Sequence, residues 1–113
     1  MNFFLEEVNG IKIIKLKEQK LDSNVAPDLK AQFLVLIGKG KQLILDLSNV
    51  NYSDSSGLGA ILLGFRLARD NNADFAICGV QERVKKLIQI AQLEHTIRQY
   101  QDHQSAIKAM QMT

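Results

Sequence analysis

The chain has no tryptophan, one cysteine and one proline. A single thiol, Cys78, leaves no internal disulfide and excludes the cysteine-rich patterns of structural zinc sites. It falls in the apolar run 75–78, where it reads as a small buried core residue. Aromatic residues are scarce, and the charges nearly cancel at +2 with acids and bases interleaved. The chain therefore lacks the basic stripe and stacking platforms of a nucleic-acid-binding surface. No apolar run approaches the ~20 residues that cross a bilayer. Residues 1–7 carry early acids and no basic region, so no secretory signal is read there, and the expected compartment is the cytoplasm. The nucleophile elbow Gly-x-Ser-x-Gly is also missing. The two histidines, His95 and His103, are not spaced to share a metal on a helix, and both read as surface residues. Gly57 and Gly59 lack the third glycine of a dinucleotide loop and the Gly-Lys-Ser/Thr ending of a P-loop. No catalytic residue, metal or cofactor is expected.

What is present suits one folded domain over residues 1–113, with 46% hydrophobic and 23% charged residues. Extended runs over 2–8 and 11–16 flank Asn9-Gly10, the dipeptide of a two-residue hairpin turn. Asp22, Ser23 and Asn24 are candidate caps for a helix over 25–37, with Pro27 in its first turn and Leu29, Phe33 and Leu36 on one face. Strand and helix then alternate: a strand over 42–47, a helix over 57–71, a strand over 74–78 and a helix over 82–93. In that last helix Val84, Leu87, Ile88 and Ala91 form a buried stripe. A short strand over 96–100 follows, then a helix opened by Asp102 that carries Ala106, Ile107 and Met110. This order predicts an α/β fold: a mixed sheet with an antiparallel hairpin at one side.

The run Asp46-Leu47-Ser48-Asn49-Val50-Asn51-Tyr52-Ser53-Asp54-Ser55-Ser56-Gly57 joins the central strand to an apolar helix. Hydroxyls at such a junction meet free backbone N–H groups and the positive end of the helix dipole. They can cap the helix, and an added phosphate would meet the same donors. Within the helix, steps of 100° group Leu58, Ile61, Leu62 and Phe65 as a core face. Ala60, Leu63, Gly64 and Leu67 then lie on the opposite side. That second face is either covered by a neighbouring helix or left as a partner-binding patch.

Asp54-Ser55-Ser56-Gly57-Leu58-Gly59 resembles the signature of the anti-sigma-factor antagonists of the bacterial STAS-domain family. Leu21-Asp22-Ser23-Asn24-Val25-Ala26-Pro27-Asp28-Leu29 is similar to that family's entry into its first helix, and Cys78-Gly79-Val80 with Val84-Lys85-Lys86-Leu87 is a third, weaker match. The resemblance implies a STAS-like mixed β-sheet with helices packed mainly on one face. It implies a non-enzymatic regulator of transcription that switches partners, with Ser55 as the phosphorylated residue. The implied partners are an anti-sigma factor with serine kinase activity and a serine phosphatase. Partner-binding positions would be Asp22, Asp54, Ser56 and Gly57 in the loops, and Ala60, Leu63, Gly64 and Leu67 on the helix, in a protein acting as a monomer. Asp22 would either orient the hydroxyl or partner, or simply cap its helix. One departure is Ser53, where the family commonly has an apolar residue, which adds a third hydroxyl to the loop. The alternative within the same resemblance is an accessory subunit of a membrane transport or sensory complex, without phospho-switching. A ligand-sensing STAS domain is a third possibility.

Overall fold

Asn9 and Gly10 adopt positive φ angles of 54° and 82°, the backbone that a type I′ turn demands. In the computed structural model, which describes residues 1–112, this turn joins β1 (Phe3–Val8) to β2 (Ile11–Leu16) as an antiparallel hairpin. There follow β3 (Lys20–Leu21), α1 (Ala26–Leu36), β4 (Gln42–Asp46), β5 (Tyr52–Ser53) and α2 (Ser55–Asp70). The chain continues through β6 (Asp74–Cys78), α3 (Glu82–Ile90), β7 (Arg98–Tyr100) and α4 (His103–Gln111). The main sheet has the order β1-β2-β4-β6-β7, with β2, β4, β6 and β7 parallel and β1 antiparallel at the edge.

Side chains alternate across a strand, so the sheet has two apolar faces. Ile14, Leu16, Leu43, Leu45, Phe75 and Ile77 lie in one core with residues of α1, α2 and α3, among them Leu29, Phe33, Ile61, Val84 and Ile88. Ile11, Ile13, Ile44, Ala76 and Cys78 form a second, smaller cluster under Ala106 and Met110 of α4. Three helices on one face and one on the other agree with the expected arrangement. Burial pushes the Cys78 thiol up to about 12, with the Asp46 and Asp102 carboxylates adding to the effect.

Several local expectations are corrected. The cap of α1 is Val25, which makes no side-chain cap bond. Asp22 instead accepts from the Asn24 N–H at 3.0 Å, and its carbonyl accepts from Ala26 at 2.8 Å. An extra turn thus separates β3 from the helix, and Pro27 falls where a missing N–H costs nothing. Helix α3 stops at Ile90 because Gln92 turns left-handed, with φ 61°. The Leu93 N–H then closes back on the Ile88 carbonyl at 3.0 Å. Ala91 is consequently exposed, Leu87 only half-buried, and Leu93 packs on the core in their place.

His103 is not a simple surface residue. Its Nδ1 lies 3.2 Å from Oδ2 of Asp46, which is only 2% exposed. The other Asp46 oxygen accepts from the Ser48 N–H at 2.9 Å. A buried carboxylate needs such partners, and the contact with His103 holds the end of β4 to the start of α4.

Helix α2 keeps Ile61 of the expected core face buried, with Leu58 and Phe65 packed against the same core, but its fully buried line is set differently. Its buried residues are Gly57, Ala60, Ile61, Gly64 and Ala68, so Ala60 and Gly64 belong to the core rather than to an outer patch. The cause is space. Phe33 and Phe75 meet edge to face, with ring centroids 5.7 Å apart. A Cβ on Gly64 would sit 2.9 Å from one ring and 3.0 Å from the other. Only small residues fit against that pair, and the larger Leu58, Leu62, Leu63, Phe65 and Leu67 are displaced to the flanks, each half-buried.

Candidate functional site

Two strands of two residues each, which no sequence pattern marks, build the site. Lys20 pairs with Tyr52 and Leu21 with Ser53, in parallel. Both strands end at an acid: Asp22 follows β3 and Asp54 follows β5. The two motif-bearing loops therefore leave the same end of one small sheet.

Ser53 fastens them. Its hydroxyl donates to the Leu21 carbonyl at 2.9 Å, with the Asp54 carbonyl also within reach at 3.1 Å. The residue that departs from the family pattern is thus half-buried and occupied as a cross-loop tie. Gly57 completes the junction. A Cβ there would run into the Leu21 carbonyl oxygen and Ser53 Oγ, so only glycine lets the first turn of α2 lie against β3 and β5.

Asp54 is the cap of α2. Its backbone is extended, and its carboxylate accepts from the Gly57 N–H at 3.0 Å. Capping is therefore done by the acid. Ser55, the first helical residue, is exposed, and its hydroxyl makes no hydrogen bond among the described residues. Ser56 is half-buried beside it. Along α2, Gly59, Leu62, Leu63 and Arg66 continue the line of Ser55 at helical spacing. Space is open around Gly59, where an added Cβ would meet nothing within 4 Å.

Helix α3 packs against β5, and the Arg83 guanidinium lies 5.5 Å from the centre of the half-exposed Tyr52 ring. This cation–π pair beside the loop had no signal in the sequence, because it depends on where α3 docks. The cleft of about 340 Å³ on the opposite sheet face is lined by Phe4, Leu5, Glu6, Ile13, Lys15, Asp46 and His103. It includes none of the loop residues.

The exposed Ser55 hydroxyl thus follows a capping acid at a helix start, and a second acid-bearing loop lies beside it. Residues 2–106 match the family of the STAS domain. The chain belongs to that family. This STAS domain is similar to an anti-sigma F factor antagonist of Paenibacillus polymyxa, at 26% identity over 96% of this chain and 93% of that protein. In fold it is similar to a STAS domain protein from Planctomyces limnophilus, with a TM-score of 0.87 at 19% identity over 96% and 97% of the two chains. It is also similar to the Bacillus cell-fate determinant SpoIIAA in its phosphorylated form, with a TM-score of 0.72 at 20% identity over 96% and 99%.

Proposed function

We propose that this STAS domain is an anti-sigma-factor antagonist switched by phosphorylation of Ser55. Unmodified, it binds an anti-sigma factor that is also a serine kinase. Transfer of the γ-phosphoryl group of ATP to Ser55 Oγ releases that partner, and a serine phosphatase resets the cycle. The domain is a binding module rather than an enzyme and works in the cytoplasm. The observation that carries this reading is the free, exposed Ser55 hydroxyl next to an acid that already caps the helix. The names of its relatives support the same role.

A phosphate on Ser55 adds about −1.5 to −2 charges. Repulsion from Asp54 is offset by the N-terminal end of α2, whose dipole and N–H groups favour an anion. The fold therefore tolerates the modification. A partner seated on Ser55, Ser56, Gly59, Leu62 and Leu63 does not, because it would have to bury a hydrated anion without a counter-charge. That costs several kcal/mol, and ~4 kcal/mol alone weakens binding about a thousandfold. Leu63 and Leu67 remain candidate contacts from their half-exposed positions, whereas Gly57, Ala60 and Gly64 act from within by setting how α2 sits. Asp22 stands beside the acceptor loop as the second acid a partner meets.

Affinity capture from the source organism, with wild type and Ser55→Asp compared, tests the switch. Wild type should retain an ATP-binding serine kinase, and Ser55→Asp should lose it. Phosphate found on Ser53 or Ser56 after incubation with that kinase and ATP would reassign the acceptor. Equal retention of the same proteins by both forms would reject the switch.

A further inference from the structure

Strand β1 is an open edge of the main sheet. It is six residues long and has no proline, so its outer side is free to pair with another strand. Its inner side is fixed by the register with β2 and by the Lys17 N–H donating to the Asn2 carbonyl at 2.8 Å. Backbone groups alternate along an antiparallel pair. Phe4, Glu6 and Val8 consequently turn theirs toward β2, leaving those of Phe3, Leu5 and Glu7 pointing outward. Two large apolar side chains flank this edge, Phe4 at 61% exposed and Leu5 at 48%.

We propose that the occupant of this edge is β1 of a second copy, paired antiparallel about a two-fold axis at Leu5. Three features select that register. It sets Leu5 opposite Leu5 and Phe3 opposite Glu7, so every outward backbone group of the strand finds its complement. It sets Phe4 opposite Glu6 on one sheet face, where the Lys17 ammonium lies 4.4 Å from the Phe4 ring centre. The Glu6 carboxylate of each copy thus reaches the Lys17 of the other. Sliding by two residues one way would place Glu6 against Glu6, which like charge disfavours, and sliding the other way would set Glu7 opposite Met1, which lies outside β1, so that its outward backbone groups lose their strand partner. On the face of Phe4 and Glu6 the edge is acidic at one end and borders Lys15 and Lys17 at the other, and antiparallel pairing is what brings unlike ends together. The edge contains none of the loop residues around Ser55, so association by β1 and the proposed switch are independent. The monomer expected from sequence is then the dilute form of a weakly self-associating protein, since one short strand pair makes a small interface.

Sedimentation velocity from micromolar to millimolar concentration tests this, with circular dichroism to verify folding of each form. Wild type should shift from monomer to dimer. Leu5→Lys, Glu6→Lys and Lys17→Glu should each raise the dissociation constant about tenfold or more. The double exchange of Glu6→Lys with Lys17→Glu should restore association, an outcome that mere damage to the strand cannot produce. A monomer at millimolar concentration would overturn the proposal. So would a dimer indifferent to all three substitutions, or a double exchange that restores nothing.

Discussion

Two glycines separated by one residue in α2 should respond to alanine in opposite directions. At Gly57 a new methyl would meet the Leu21 carbonyl oxygen and Ser53 Oγ, with Leu21 Cγ at 2.9 Å. The carbonyl is backbone of β3, held by the β3–β5 pairing, and cannot retreat without dragging the site with it. Overpacking of this kind costs about 1–3 kcal/mol, while alanine in a helix regains up to about 1 kcal/mol over glycine. Because that carbonyl cannot yield, the cost falls toward the upper end of the range, and the balance for Gly57→Ala is a loss of about 1–2 kcal/mol. At roughly 4–8 °C per kcal/mol for a domain near this size, Tm should fall by about 4–16 °C. At Gly59 nothing lies within 4 Å of the added methyl, so Gly59→Ala should gain up to about 1 kcal/mol by propensity alone. Thermal and urea denaturation followed by circular dichroism, with both variants beside wild type, measure the contrast. Equal shifts in the two variants, or a Gly57→Ala protein as stable as wild type, would refute the packing assigned to the start of α2.

Ser53→Ala removes the tie between the loops and should cost about 1 kcal/mol in urea denaturation, with faster hydrogen exchange at the Asp54 amide, which donates to the same Leu21 carbonyl at 3.4 Å. Cys78, raised to about 12 in the folded chain by burial, should resist thiol reagents at neutral pH until the protein unfolds. Because its folded value lies above the unfolded one, the folded state holds a proton that the unfolded state gives up. Stability should therefore be intact below the ordinary thiol range of about 8.5 and fall as pH rises from there toward about 12. A Cys78→Ser variant that shows the same alkaline loss would assign it to another group.

The strand–helix order, the Asn9-Gly10 turn, the capping role of Asp102 and the position of the loop before α2 are local properties. They were legible because each is written in adjacent residues: alternation of apolar side chains, a dipeptide that tolerates positive φ, an acid before a helix. Strands β3 and β5 are not legible, because two residues carry no period and they exist only where Leu21 and Ser53 come together. The pairing of His103 with Asp46 spans 57 positions, beyond any motif. The burial of Ala60 and Gly64 in α2 is not legible, because hydrophobicity favours the leucines. Close packing admits only glycine at Gly64, against Phe33 and Phe75, and at Gly57, against Leu21 and Ser53. Sequence alone determined which residues make the loop and, to within a turn, where its helix begins, since backbone preference acts over a few bonds. Tertiary structure decided which hydroxyl is left free and which face of the helix meets solvent, since those depend on what fills the space on the other side.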